Sequence, residues 1–318
     1  MHDRPLGATG LTVSVIGFGG WGIGGRVDGG RSYGATEDAV SVAALEAAFA
    51  AGVTFYDTAP LYGHGHSESL IGQTFADRRD RVVIATKAGY TGFDAPADYH
   101  PAALRRSLDA SLRRLRTDYV DFFQLHDAGP ADLRDHPDIP ETLDRLREAG
   151  WIRAWGASVK RPDHGLEWLT HPGCAALQVN FSMMDLRCLE CGLLERAAAR
   201  GVGIIARTPL NFGFLTGTLT GTETFPADDH RSRWPRAQLL AWADGARRLL
   251  AAPAPPGETA TTTALRFVLA FPAVSSTIPG MLTPGHVAEN TVAGHRDPLD
   301  PVAVAERLAI SRGLSLMP

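Results

Sequence analysis

Three cysteines in 318 residues, Cys174, Cys188 and Cys191, do not make a disulfide framework. The N-terminal stretch MHDRPLGATG has no apolar signal segment, so the expected location is cytoplasmic. No apolar run approaches the roughly 20 residues that cross a bilayer, and no membrane partner is expected. Positive charge is not in excess: 31 Lys plus Arg face 35 Asp plus Glu, a formal net charge of -4. Nucleic acid is therefore not an expected partner either. What the chain does hold is apolar residues, 44% of the total against 21% charged. That suffices for one large domain over 1–318 or two ordinary ones, and we expect one.

Hydrophobic runs and turn residues alternate along the chain. RPLGATGLTVSVIGFGG predicts a short hairpin around Gly7 and Gly10, then a strand near Ser14 to Phe18. ATEDAVSVAALEAAFAAG predicts a helix stopped by Gly52, and PAALRRSLDASLRRLR a helix with Pro101 in its first turn. LECGLLERAAARG reads as one helix. Strands that lead to helices begin near Val15, Val53, Arg81, Tyr119, Ile152, Leu177, Gly203 and Val274. Past Arg207 the pattern loosens: residues 211–238 read as a long loop too irregular for a packed element, and DDHRSRWPR within it as a solvated charge cluster. Eight strand–helix units fit a closed (β/α)8 TIM barrel with an N-terminal β-hairpin and long loops on the C-terminal side. The open-sheet alternative needs a glycine fingerprint running straight into a helix. The glycines of GFGGWGIGG lead instead into GRVDGGRSYGATEDA.

In such a barrel, groups at the C-terminal ends of different strands converge over one mouth. Those ends carry Asp57, Lys87 and His126, with Tyr62 in the loop after Asp57. A buried Lys87 needs a counter-charge, which Asp57 is placed to supply. An ammonium beside a phenol favours the phenolate, so a Tyr62 near Lys87 can give a proton to a carbonyl oxygen and recover it in reverse. His126 can share that proton or hydrogen-bond the substrate oxygen. Singly, each has a plain structural reading: Tyr62 as a packed rim residue, Asp57 as a turn cap, Lys87 snorkelling outward, His126 as a satisfied core histidine. Their placement at successive strand ends favours the chemical reading.

The stretches GVTFYDTAPLYGHGHSE, VVIATKAG, DFFQLHD and AWGAS, in this order and spacing, resemble the aldo-keto reductase superfamily. The resemblance runs from RPLGATGLTVS, which would plug the barrel bottom, to TIPG and AEN near the C-terminus. It implies a catalytic tetrad of Asp57, Tyr62, Lys87 and His126. It also implies reduction of an aldehyde or ketone with a nicotinamide cofactor, NADP(H) first and NAD(H) as the alternative. Ser158 and Gln178 would hold the nicotinamide carboxamide, and Gly20, Trp21 and Asp57 would border the ring. Arg207 would stand under the nicotinamide, and Pro209, Leu210, Gly213, Leu215 and Thr216 would belong to the loop along the pyrophosphate. Gly280, Met281, His286, Glu289 and Asn290 would border the adenosine. The expected partner is a small carbonyl or alcohol substrate, such as a sugar or secondary-metabolite intermediate. Nothing in the sequence sets the oligomeric state.

Several positions depart from that pattern. Val159 stands where relatives carry Asn after the serine, and Arg207 stands where many carry an aromatic residue under the nicotinamide. Gly280, Met281 and His286 replace the cationic grip on the 2'-phosphate, with Arg231, Arg233 and Arg236 available from the long loop. Trp21, Tyr90, Phe93 and Trp234 are candidate pocket walls. His64 reads as lining the loop that leads to the substrate. CLEC, with Cys174 and His171, is a poor zinc knuckle, and no metal is expected at His64 and His66. Two rival readings are a cofactor-binding regulatory barrel, which loss of Tyr62 or Lys87 would have favoured, and an NAD-dependent sugar dehydrogenase working oxidatively.

Overall fold

The computed structural model describes residues 1–26, 32–90, 92, 95–254 and 256–314. β1 (Asp3–Pro5) and β2 (Thr12–Ser14) form the antiparallel hairpin, turning through Gly7 and Gly10 at φ 52 and 75°. A Cβ on Gly7 would stand 2.3 Å from the Ala175 carbonyl oxygen and 2.4 Å from the Gly203 nitrogen, so only glycine lets this turn seat against the barrel. Leu6, Leu11 and Val13 of the hairpin are buried against Phe55, Phe122, Ile205 and Ile278. The plug is thus the floor of the barrel interior, closed by apolar burial.

The barrel strands are β3 (Phe18–Gly19), β4 (Phe55–Asp57), β5 (Val83–Ala88), β6 (Val120–His126), β7 (Ile152–Val159), β8 (Cys174–Asn180), β9 (Gly203–Arg207) and β10 (Val274–Ile278). Each pairs in parallel with the next. Parallel bridges at Ile16–Thr277 and Gly19–Gly280 bring β10 back to β3 and nearly close the ring. Helices between the strands cover the outer face, and every residue of β4 and β6 is buried. The helix Pro101–Leu115 starts with proline after a capping His100, and Ile139–Glu148 ends before Gly150 at φ 79°.

The register aligns the strand ends. Lys87 lies beside Gln124, His126 beside Ser158, Ser158 beside Gln178, and Asn180 beside Arg207. Side chains at these positions can therefore meet over one mouth.

Three expectations need correction. LECGLLERAAARG is two helices, Arg187–Glu190 and Leu193–Ala199, broken where Gly192 turns left-handed at φ 75°. The first barrel strand is shorter than Ser14 to Phe18, because Thr12–Ser14 is already used in the hairpin. The long loop packs: it carries helical turns at Asn211–Thr216 and His230–Arg233, and its Asp229 is buried against Arg231 at 2.6 Å. Aromatic contacts, which charge-based reading does not weigh, order it. Among the described residues no helix is long and apolar enough to cross a membrane.

Candidate active site

The stretch after β4 is fixed on several sides. Gly20 N–H donates to the Asp57 carbonyl at 2.8 Å, and Ser67 Oγ donates to the Gly20 carbonyl at 2.8 Å. Gly63, at φ 64°, packs its backbone against Gly24, where a Cβ would meet the Gly24 oxygen at 2.1 Å. Buried Glu68 anchors the following helix His66–Thr74, accepting from Thr86 at 2.5 Å and from Arg114 at 2.6 Å. Tyr62 is thereby held on a rigid loop.

The Lys87 ammonium is fully buried and donates three bonds: to Asp57 Oδ1 at 2.6 Å, to the Thr58 carbonyl at 2.9 Å and to Tyr62 Oη at 3.1 Å. Burial alone would lower its pKa, but Asp57 and Tyr62 outweigh that and raise it. Asp57 Oδ2 faces the other way and accepts from Gln124 Nε2 at 2.9 Å and Gln178 Nε2 at 2.7 Å. Ser158 Oγ in turn donates to Gln178 Oε1 at 3.1 Å. The His126 ring stands edge-on to Tyr62 and Tyr90, at 6.1 and 5.6 Å between centroids. Burial, and then the charges of Lys87, Arg207 and Lys160, push its pKa well below 6.5, so it is a neutral imidazole. In that form it offers a hydrogen bond but no positive charge.

These groups open into a cleft of about 1010 Å³. Asp57, Tyr62, His126, Gly20, Trp21, Gln178, Arg207, Pro209, Leu210, Gly213, Thr216, Gly280, His286, Glu289 and Asn290 all line it. Leu215 and Met281 are instead fully buried in the apolar core, and Ser158 lies beneath the surface behind Gln178. Tyr90 and Trp234 line the cleft as walls, whereas His64 is exposed away from it and Phe93 is outside the described residues. His66 pairs with Asp38 at 2.7 Å. Among the described residues no group of three or more His, Cys, Asp or Glu side chains could hold a metal.

Strand alternation could have found Gln124, which shares the inward face of β6 with His126, and Asn180, which shares the face of β8 with Gln178 and lines the cleft. No local pattern points to Tyr33 and His230. Ser32 and Tyr33 bridge to Asp229, and His230 N–H donates to the Ser32 carbonyl at 2.8 Å. The His230 ring packs at 4.8 to 5.5 Å on Trp21, Tyr33, Phe212 and Trp234. Partners some 200 residues apart tie the segment after β3 to the loop after β9 along the cleft.

A nicotinamide dinucleotide fits this cleft by its donors and its bare backbone. Gly213 and Gly280 line it with no heavy atom closer than 3.4 Å to an added Cβ, so the bare backbone at both positions leaves open space along the cleft. Amides of Gln178 and Asn180 stand at the tetrad end.

The profile of the Aldo/keto reductase family matches residues 15–310. The chain belongs to that family. An aldo/keto reductase of this kind is an NAD(P)H-dependent oxidoreductase, and its relatives bear that out. The NADH-specific methylglyoxal reductase of Escherichia coli is 30% identical over 309 residues, covering 92% of this chain and 93% of that protein. L-galactose dehydrogenase of Arabidopsis thaliana is 32% identical over 302 residues, covering 91% and 87%. The solved structure of the glycerol dehydrogenase AKR11B4 from Gluconobacter oxydans superposes with a TM-score of 0.81 at 26% identity, covering 99% and 97%.

Neutral histidines give this reductase a pH signature. Burial holds His230 at about 4, against the pull of Asp229, and holds His126 well below 6.5. The unfolded chain takes up both protons near pH 6.5 while the folded chain refuses them. Stability is therefore full above that pH and falls as pH drops below it. Denaturant midpoints should decline from about pH 7 to 5, and His230→Phe should make the decline shallower. A flat profile would mean that these rings are hydrated.

Proposed function

We propose that the protein reduces an aldehyde or ketone to an alcohol, with Tyr62 as proton donor and NADPH as the better of two usable cofactors. The observation that carries this reading is one buried ammonium, Lys87, touching both Asp57 and Tyr62 Oη at the end of a cleft. A bound nicotinamide supplies the hydride. Tyr62 Oη faces the carbonyl oxygen and gives its proton as negative charge develops there. Lys87, held charged by Asp57, stabilises the phenolate that remains. His126, neutral, donates to the same oxygen and orients it. Gln124 and Gln178 hold Asp57 so that its other oxygen stays on Lys87.

The substrate end supports a small, hydroxylated carbonyl compound, such as a sugar or related intermediate. Trp21, Tyr33 and Tyr90 give flat apolar walls, and Asp127 with Lys160, paired at 2.6 Å, gives a polar rim beside His126. The relatives named for methylglyoxal, L-galactose and glycerol agree with that class. The name L-galactose dehydrogenase favours a second reading, in which the physiological direction is oxidation with NAD. Incubation of each cofactor with a panel of aldehydes, ketones and the matching alcohols, followed by nicotinamide absorbance, tests both. No turnover in either direction would leave a regulatory barrel.

Cofactor choice has its own test. At the adenosine end Met281 is buried, and the His286 ring already accepts from Leu282 N–H through Nδ1. Arg231 lines the cleft, yet both oxygens of Asp229 hold its guanidinium. Arg236 reaches the Glu223 carbonyl instead. With this grip, preference for NADPH over NADH in kcat/KM should stay below about a hundredfold, the yield of two good ionic contacts. A preference above about a thousandfold would place the phosphate site elsewhere.

A further inference from the structure

Arg207 ends β9 and reaches across the end of β8 to β7, where its Nη2 donates to the Val159 carbonyl at 3.2 Å. The two departures from the family pattern therefore touch each other. Nε is buried without a partner, and the residue lines the cleft. Lys87, Lys160 and Arg231 nearby are each ion-paired, with Asp57, Asp127 and Asp229. Among the described residues no carboxylate lies within ion-pairing distance of Arg207. Burial lowers its pKa from 12.5, but a guanidinium stays charged across the working range. Its field reaches the tetrad, where it is one of three cations that keep His126 neutral.

Tyr62, Gln178, Asn180 and Arg207 line one cleft, and a ring delivering hydride beside Tyr62 would lie within it. An oxidised nicotinamide ring carries a positive charge; a reduced one carries none. We propose that Arg207 sets the preference between the two cofactor states, its unpaired charge disfavouring the oxidised ring and so biasing the site toward the reduced form. This rests on the reading of the cleft as the nicotinamide site. Two like charges across a partly buried site repel strongly enough to shift a binding ratio by about tenfold or more. The consequence is directional: reduced cofactor is held and spent cofactor is released, which suits reduction over oxidation.

The test is binding, with no turnover involved. Dissociation constants of NADP+ and NADPH, and of NAD+ and NADH, are measured by quenching of intrinsic tryptophan fluorescence, with Trp21 in the cleft wall as reporter. In the unaltered protein the oxidised form should bind about tenfold more weakly than the reduced one. Arg207→Met and Arg207→Gln should each compress that ratio about tenfold, while Arg207→Lys keeps most of it. Because the ratio is taken within one protein, a variant with weaker overall binding still reports. A ratio that both charge-removing variants leave within about twofold of the parent overturns the proposal, as does equal loss of both affinities. Binding of neither form to the unaltered protein would overturn the nicotinamide reading itself, and this inference with it.

Discussion

Tyr62→Phe should lower kcat by about a thousandfold while the affinity for reduced cofactor changes little. Phenylalanine keeps the ring between Lys87 and the His126 edge but removes the hydroxyl hydrogen-bonded to the Lys87 ammonium. General acids in such positions contribute between about a hundredfold and ten-thousandfold. The loss should appear in kcat and kcat/KM alike, the pattern of an interaction made only in the transition state. Residual activity within a factor of a few of the parent would remove Tyr62 from the proton-donor role.

Asp57→Asn is the second large effect, and here the readout is stability. The two carboxylate oxygens of Asp57 serve different partners: Oδ1 the Lys87 ammonium, Oδ2 the amide nitrogens of Gln124 and Gln178. Asparagine has one acceptor and one donor, so either orientation sets an N–H against another donor at a residue that is only 1% exposed. Lys87 also loses its counter-charge while fully buried. Breaking one side of a buried pair costs about 3–5 kcal/mol, a large share of a typical folding free energy. Urea unfolding of Asp57→Asn should show that loss, with activity falling as well because the ammonium no longer holds its place beside Tyr62. A change below about 1 kcal/mol would mean that the Lys87–Asp57 pair is hydrated or remade with other partners.

Much of this was legible in the sequence, for identifiable reasons. Strand ends are marked by where apolar runs stop, so Asp57, Lys87 and His126 could be assigned to one mouth from TFYD, VVIATK and DFFQLH. The hairpin plug was readable from glycines placed where the turn needs positive φ. Residues whose role depends on distant partners were not readable. Gln178 was expected to face a ligand, but it also orients Asp57 across 121 positions of sequence. The loop after β9 looked polar and open, yet Asp229 and His230 are held by Ser32, Tyr33 and Trp21, and Trp234 packs on His230. Such pairings leave no periodic trace. Nor does the burial of Leu215 and Met281, although Thr216, Gly280 and Leu282 beside them border the cleft.

The central claim is hydride transfer to a carbonyl at this cleft, and it is tested most directly by following the hydride. The enzyme is mixed with cofactor carrying deuterium at both C4 positions of the reduced nicotinamide, together with an aldehyde such as methylglyoxal or 4-nitrobenzaldehyde, and the product is analysed by mass spectrometry. The account predicts an alcohol with one deuterium on the former carbonyl carbon, formed by the parent and lost in Tyr62→Phe. An alcohol without deuterium on that carbon, or equal yield from the Phe variant, would contradict it.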